Sequence, residues 1–252
     1  MSKGLVVSLF DESGNMLEPW ANAGYECIAY DILNTGVKIE HRSGGSILFK
    51  HADLMSPENI AEIVSVKPVI VFGFPPCTHL AVSGARHFES KRAANPRFQE
   101  DAVALCKVVE HVGELTGAPW MLENPVSVLA TMWRKSNFWF HQYEYGGYLP
   151  IDDEHPRWPE YIMPRDAYPK STHIWCGNGF SQPLKRVVAV DEGYSVQFHK
   201  LGGKSAKTKQ IRSETPRGFA QAVFERNSSW IVRTIDKRHA ADIDVGLWRI
   251  AQ

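Results

Sequence analysis

The sequence predicts an α/β protein built on a Rossmann-like sheet that is flanked by helices. Short apolar runs rich in β-branched residues are typical of buried parallel strands, and the clearest of them cover residues 5–10 and 69–72. Residues 98–115 instead predict an amphipathic helix, because Val103, Val109 and Val112 recur there at helical spacing. Strand and helix signals of this kind alternate along the chain, which favours a largely parallel sheet.

Glycine, proline and capping residues mark the ends of the other helices. Gly24 suits the C-terminal cap of one helix, because glycine readily adopts the left-handed conformation common at that position. Ser56 and Thr215 each precede a proline at the first helical position, where proline is well tolerated. The predicted helices cover residues 17–23, 57–64, 98–115 and 216–225. The predicted strands cover residues 5–10, 27–30, 69–72, 120–122 and 170–176; residues 46–50 and 138–145 are each a strand or a loop, and residues 187–190 are a further candidate strand.

Three segments predict irregular structure. Residues 78–97 are interpreted as a polar loop or short helices, and residues 146–169, rich in proline, tryptophan and acids, as an insert folded over the surface. Residues 200–212 are interpreted as a flexible basic loop. The length of 252 residues suits a main domain at residues 1–225 with a C-terminal extension at residues 226–252.

Charge and cysteine usage exclude several classes of protein. The net charge of +0 is unlike that of a dedicated nucleic-acid binder, so such contacts have to come from local basic patches. The four cysteines contain no Cys-x-x-Cys pair, which argues against a zinc site and a disulfide framework, and we predict no bound metal. Because no signal peptide or membrane-length apolar run is present, we predict a cytoplasmic protein without a membrane partner. The sequence does not indicate an oligomeric state.

Cys77 stands at the carboxyl end of the strand at residues 69–72, directly after Pro75 and Pro76. Prolines cannot continue a sheet ladder, so the strand stops and the thiol is presented on a stiff turn. Ligands of open α/β sheets bind at the carboxyl ends of the strands. Cys77 is therefore a candidate nucleophile, provided that its pKa is lowered or a base accepts its proton; the alternative is a small buried hydrophobic residue.

A second strand delivers an acid to the same edge. The strand at residues 120–122 runs into Glu123-Asn124-Pro125, so a carboxyl group follows a buried strand and is fixed by a proline. Basic side chains cluster in residues 86–97, beside Cys77, and again in residues 200–212. These clusters favour an anionic, phosphate-bearing substrate, although each residue alone is equally typical of a solvated helix face.

In this order, the motifs resemble those of the cytosine-carbon-5 DNA methyltransferases, particularly the short forms of phages and prophages. Pro75-Pro76-Cys77 is similar to the nucleophile motif of that family, and Glu123-Asn124-Pro125 to its Glu-Asn motif. The loop after the first strand keeps the family's Phe and one Gly, as Phe10 and Gly14, but lacks its first Gly. Residues 212–220 resemble the last helical motif, so the resemblance covers most of residues 5–225.

The resemblance implies a methyltransferase sheet and transfer of a methyl group from S-adenosyl-L-methionine to carbon 5 of a cytosine flipped out of DNA. The implied catalytic residues are Cys77 as nucleophile, Glu123 against the base, Asn124 on the base edge and Lys170 as a positive charge. The implied cofactor-binding residues are Phe10, Asp11, Ser13, Gly14, Asn15, Asp31, Ile32, Asp53, Leu54 and Pro75. The implied substrate-binding residues are Ser83, Arg86, Lys91, Arg92 and Thr172.

Two departures from the family pattern leave alternatives open. Lys170 stands where the family commonly has an arginine, and lysine is a point charge rather than a planar fork. Too few residues separate Thr172 from residues 209–212 for an independent target-recognition domain, so that domain is reduced or absent and readout falls to residues 146–169 and 200–212 or to a partner. The alternatives are methylation of free cytidine nucleotides, use of a modified S-adenosyl donor, and a non-catalytic DNA-binding relative. A zinc deaminase is disfavoured, because Leu80 occupies the position of its second cysteine.

Overall fold

A computed structural model describes residues 3–190, 196–202 and 205–229, and the described residues form one eight-stranded sheet. The strands are β1 (Leu5–Leu9), β2 (Glu26–Asp31), β3 (Val37–His41), β4 (Ser46–His51), β5 (Ile70–Gly73), β6 (Trp120–Pro125), β7 (Phe138–His141) and β8 (Ser171–Gly177). Their order across the sheet is β3-β4-β2-β1-β5-β6-β8-β7.

The middle of the sheet is parallel, and its edges are antiparallel. β1 pairs in parallel with β2 and β5, β2 pairs with β4, and β5 pairs with β6. β3, β7 and β8 run antiparallel to their neighbours. The order of the parallel strands reverses between β1 and β5, as in Rossmann-like folds, and such a reversal opens a crevice at the carboxyl ends of those two strands.

Helices cover both faces of the sheet. They are α1 (Glu18–Asn22), α2 (Pro57–Ser65), α3 (Phe88–Ala94), α4 (Phe98–Thr116), α5 (Leu129–Met132), α6 (Val196–Lys200), α7 (Ala206–Ser213) and α8 (residues 217–229). One buried cluster packs α1 and α8 on one face through Trp20 and Phe219. A second cluster packs α2 and α4 on the other face through Ile63 and Val109. Gly73 allows α4 to approach β5 closely, because a Cβ atom there would lie 2.2 Å from Val109 Cγ2.

Most of the predicted elements are confirmed, with small shifts at their ends. The five clear strand predictions correspond to β1, β2, β5, β6 and β8, and the helix predictions to α1, α2, α4 and α8. Residues 46–50 lie in the strand β4, and residues 138–145 divide into β7 and a 3-10 helix at Gln142–Tyr148. The predicted domain boundary after residue 225 falls inside α8, and residues 230–252 of the predicted extension lie outside the described residues.

Three segments differ from the sequence interpretation. The sequence analysis does not predict β3, a five-residue strand whose only apolar residues, Val37 and Ile39, are both exposed. The strand prediction at residues 187–190 is wrong: the neighbouring backbone instead bonds to the 3-10 helix, with Arg186 N donating to Glu144 O and Val188 N to Tyr143 O. The flexible-loop prediction at residues 200–212 is also wrong, because Ser205 caps the helix α7.

The irregular insert at residues 146–169 packs with α7 through a small separate core. Turns and short 3-10 segments make up this insert, as predicted. The insert core consists of Ile162, Tyr168, Leu201 and Ile211, with Trp158 and Tyr161 packed against it. In the described part of the chain, no helix is long and apolar enough to cross a membrane.

Candidate active site

Backbone hydrogen bonds hold the segments after β5 and β6 side by side. Val82 N donates to Val126 O at 3.0 Å, and Val128 N donates to Leu80 O at 3.0 Å. Cys77 precedes one of these segments, and Glu123 lies in the last half of β6, just before the other. The two side chains that the sequence singled out therefore belong to neighbouring strand ends at one edge of the sheet.

Asn124 fixes the turn that carries Cys77. Its Nδ2 atom donates to the Pro75 carbonyl at 3.3 Å, and the residue is only 1% exposed. Its Oδ1 atom is also buried and has no hydrogen-bond partner among the described residues. The resemblance implied a role on the base edge, but the observed contact makes Asn124 first a positioning residue for the proline turn.

Cys77, Glu123 and Lys170 act on one another electrostatically. Burial raises the pKa of the Cys77 thiol and the Glu123 carboxylate raises it further, whereas Lys170 and Lys91 lower it. Burial also raises the pKa of Glu123, and Lys170 opposes that shift. Lys170 Nζ donates to Arg212 O at 2.7 Å, which holds the ammonium group in place. Burial thus disfavours the anionic form of both groups, and the nearby cation stabilises either anion.

We expect Glu123→Gln to lower the pH midpoint for alkylation of Cys77 and Lys170→Met to raise it. The first change removes a like charge that opposes the thiolate, and the second removes an opposite charge that favours it. The measurement is the rate of iodoacetamide labelling against pH, with the Cys77 peptide quantified by mass spectrometry. Peptides containing the buried Cys27 and Cys106 are internal controls for unfolding. Midpoints that move in the same direction in both variants would contradict this electrostatic arrangement.

Asp11 shapes the loop between β1 and α1. Its Oδ1 atom accepts hydrogen bonds from Ser13 N at 2.9 Å and Gly14 N at 2.7 Å, and its Oδ2 atom accepts one from Ser8 Oγ at 2.7 Å. Gly14 has φ +70°, and a Cβ atom there would lie 2.8 Å from Phe49 Cζ, so the loop needs glycine. The resemblance implied that Asp11 contacts the cofactor. Both of its oxygens instead bond within the loop, so Asp11 shapes the surface of that loop.

Phe10 follows β1 directly, at the reversal of strand order where open α/β sheets typically form a crevice. This residue has φ 56°, a left-handed conformation that bulky residues rarely adopt, and such strain is commonly found at functional sites. Phe74 N donates to Leu9 O at 3.0 Å, so the turn containing the buried Pro75 starts beside Phe10. The two loops implied by the resemblance therefore border the same crevice.

The end of β2 adds an acid and an exposed apolar side chain. Asp31 is nearly buried and accepts a hydrogen bond from Leu33 N at 2.8 Å. Burial raises the pKa of Asp31, and the charges of Asp11 and Glu12 add to that effect. Ile32, the next residue, is 58% exposed. An acid beside an exposed apolar residue at a strand end suits a nucleoside, because one can bind the sugar hydroxyls and the other can cover the base.

Two residues implied as site residues lie in the core instead. Thr172 is 0% exposed, and its hydroxyl accepts a hydrogen bond from Gln142 Nε2 at 3.1 Å, so it does not face a substrate. Leu54 is buried in the cluster that contains Ile63, so it does not face a cofactor. Its neighbour Asp53 is exposed, and its Oδ1 atom accepts a hydrogen bond from Met55 N at 2.9 Å.

Asn15 belongs to an ion cluster around the buried Glu214 that the sequence does not predict. Glu214 is 7% exposed, and its Oε1 atom accepts hydrogen bonds from Asn15 Nδ2 at 2.8 Å and from Arg157 at 2.5 Å. His155 Nε2 lies 3.6 Å from the same oxygen, and burial lowers the pKa of His155 to about 4. The cluster joins the loop after β1, the insert and the segment before α8. Contacts between such distant parts of the chain leave no local pattern in the sequence.

The basic segment after Cys77 is largely exposed. Lys91 Nζ donates to Thr78 O at 2.6 Å, and its charge lowers the pKa of Cys77, so this lysine lies near the thiol. The other implied substrate contacts in this segment are exposed, and they are Ser83, Arg86 and Arg92. Their exposure leaves these side chains accessible to an anionic ligand near Cys77.

No family model matches this chain, and no curated protein was found to be similar to it. Among the described residues, no group of three or more His, Cys, Asp or Glu side chains is arranged to hold a metal ion. The candidate site therefore consists of a thiol, a carboxyl group and an ammonium group, beside a crevice bordered by the loop after β1.

Proposed function

We propose that the protein transfers a methyl group from S-adenosylmethionine to carbon 5 of cytosine in DNA through a covalent bond to Cys77. The observation that carries this proposal is that Cys77, Glu123 and Lys170 meet at the carboxyl edge of the sheet. The segments after β5 and β6 are hydrogen-bonded to each other, and Lys170 directly precedes β8, which pairs with the end of β6. A nucleophilic thiol, a carboxyl group with a raised pKa and a fixed cation are the groups that activation of a pyrimidine ring requires.

Carbon 5 of cytosine is a poor nucleophile, and addition of a thiolate to the neighbouring carbon 6 makes it enamine-like. Cys77 supplies that thiolate once its proton has passed to solvent, and the Glu123 carboxyl, in its protonated form, donates to ring nitrogen 3, where charge accumulates. Lys170 stabilises the anionic form of either group. Carbon 5 then accepts the methyl group and loses its proton to a base. The bond between sulfur and carbon 6 breaks, which restores the ring and the Cys77 thiolate.

The loop after β1 and the end of β2 suit S-adenosylmethionine, which supplies an electrophilic methyl group on a sulfonium. In this proposal Asp31 binds the ribose hydroxyls and the exposed Ile32 covers the adenine. The carboxylates of Asp11, Glu12 and Asp31 lie close enough to interact, and their negative field favours a cationic donor. Phe10, Ser13 and Asn15 complete the rim that would hold it.

The partial burial of Cys77 and Glu123 favours a flipped base as substrate. A cytosine within a duplex cannot reach side chains below a protein surface, so the nucleotide has to leave the stack. The exposed Arg86 and Arg92, with Lys91 close to Cys77, supply the charge that would hold the flanking phosphates.

The proposal predicts label in DNA when the protein is incubated with methyl-labelled S-adenosylmethionine and duplex DNA, RNA or dCMP in parallel. Nucleoside mass spectrometry should find 5-methyldeoxycytidine in the DNA reaction and a lower yield in the other two. Label in dCMP alone would instead make the protein a nucleotide methylase. No modified cytosine in any substrate, from protein that binds the donor in calorimetry, would overturn the proposal.

A further inference from the structure

The segment that contains α6 and α7 is strongly basic in a chain with no net charge. Residues 196–213 contain five lysines and arginines and no aspartate or glutamate, whereas the whole chain has 28 basic and 28 acidic residues. One of the five, Lys204, lies outside the described residues. A local concentration of positive charge of this kind complements a phosphate backbone.

α7 separates a buried face from an exposed one. Thr208 and Ile211 are buried, and Ile211 belongs to the insert core, so the helix is fixed on the protein by one side. Ser205 Oγ accepts a hydrogen bond from Thr208 N at 3.1 Å and caps the helix. The face directed away from the core consists of Ala206, Lys209, Gln210 and Ser213, all of which are exposed.

The exposed face carries residue types that can hydrogen-bond or contact base edges in the major groove. Gln hydrogen-bonds adenine, Lys hydrogen-bonds guanine, Ser bonds to either, and Ala contacts the thymine methyl group. Lys207 and Arg212 flank this face, and both are partly fixed: Lys207 Nζ lies 4.9 Å from the Tyr161 ring, and Arg212 donates to Leu201 O at 2.8 Å. An eight-residue helix is about 12 Å long, which is also roughly the width of the major groove.

The carboxyl end of α7 adjoins the candidate active site. Lys170 Nζ donates to Arg212 O at 2.7 Å, and the charge of Lys170 acts on both Cys77 and Glu123. A duplex contacted by α7 is therefore positioned with its bases close to the thiol.

We infer that α7 is a reading helix: its exposed face enters the major groove of duplex DNA next to the target cytosine, and Lys209 and Gln210 select the flanking bases. This inference rests on the proposed function, because a flipped cytosine in DNA is what brings a duplex to this edge. In this view the eight-residue helix α7, held by the insert core, recognises the flanking bases. A separate recognition domain would otherwise supply that recognition.

The test compares Lys209→Ala, Gln210→Ala and Lys207→Ala with Lys107→Ala, an exposed lysine of α4 that removes the same charge elsewhere. Two readouts are used: the salt dependence of binding to duplex DNA, and the set of methylated sequences found by sequencing. Lys209→Ala and Gln210→Ala should relax the preferred flanking bases by about tenfold each. Lys207→Ala should weaken binding to all sequences and reduce the salt slope by about one unit. Lys107→Ala should behave as the unmodified protein.

The two readouts separate failure of this inference from failure of the proposed function. Protein that methylates no cytosine defeats the proposed function, and the salt slopes of the α7 variants then decide the inference alone. Where methylation occurs, the reading helix is overturned if the α7 variants match Lys107→Ala in both salt slope and methylated sequences. Where it does not occur, the reading helix is overturned if Lys207→Ala matches Lys107→Ala in salt slope. Tighter binding to an RNA hairpin than to duplex DNA also overturns it.

Discussion

Replacement of Cys77 by alanine is expected to abolish methyl transfer to cytosine while leaving the fold intact. Without the thiolate, carbon 5 of the base is not activated, and no other partly exposed thiol adjoins Glu123 among the described residues. We expect the initial rate with labelled donor and duplex DNA to fall at least about a thousandfold. Because Cys77 lies on a turn outside the sheet, the free energy of unfolding should change by less than about 1 kcal/mol.

Cys176→Ala is the matched control for this variant. Cys176 is the other partly exposed cysteine and lies in β8, away from the strand ends that carry Glu123 and Pro75. It should retain a rate within about twofold of the unmodified protein. A Cys77→Ala protein that keeps a tenth of that rate would show that no covalent adduct is needed.

Asp11→Ala is expected to destabilise the loop after β1 strongly. The change removes the acceptor for Ser8 Oγ, Ser13 N and Gly14 N in a buried setting. Each buried donor left unsatisfied costs about 1–3 kcal/mol, so the free energy of unfolding should fall by at least about 3 kcal/mol. Chemical denaturation measures this loss, and calorimetry should show that binding of S-adenosylmethionine is lost with it.

Glu12→Ala is the control for Asp11, because it removes a carboxylate from the neighbouring, exposed position. Its free energy of unfolding should stay within about 0.5 kcal/mol of the unmodified value. Asp11→Asn keeps an oxygen acceptor and should recover part of the stability lost in Asp11→Ala. Equal effects of Asp11→Ala and Glu12→Ala would mean that the hydrogen bonds of Asp11 do not hold the loop.

Local signals in the sequence were sufficient to predict five strands of the sheet and to bring Cys77 and Glu123 to one edge of it. Buried parallel strands produce apolar runs, and their carboxyl ends collect at one edge, so Cys77 and Glu123 could be placed together without knowledge of the helices. β3 and α7 gave weaker signals for a physical reason. β3 has only five residues, and its two alternating apolar side chains, Val37 and Ile39, are exposed. α7 buries only Thr208 and Ile211, so it lacks the apolar pattern of a helix with a buried face.

The direction of a side chain was harder to predict than its position in the chain. Thr172 and Leu54 lie in the predicted segments but point into the core, where neighbouring strands and helices decide their burial. Asp11 and Asn124 are used by nearby backbone groups, which compete with any ligand for their polar atoms. The contact between Asn15 and Glu214 depends on how two distant segments meet, and no local pattern reports such a contact.

The most direct test of the covalent mechanism is to look for the bond between Cys77 and cytosine itself. A duplex in which 5-fluorocytosine replaces the target base is incubated with the protein and S-adenosylmethionine. Fluorine cannot leave carbon 5 as a proton does, so Cys77 remains bonded to carbon 6 after the methyl group has been accepted. We predict a protein–DNA species that survives denaturation, with the mass of both components plus one methyl group less the thiol hydrogen, and peptide mapping should place the link at Cys77. Absence of this species from protein that methylates ordinary DNA, or a link at another residue, would contradict the proposed mechanism.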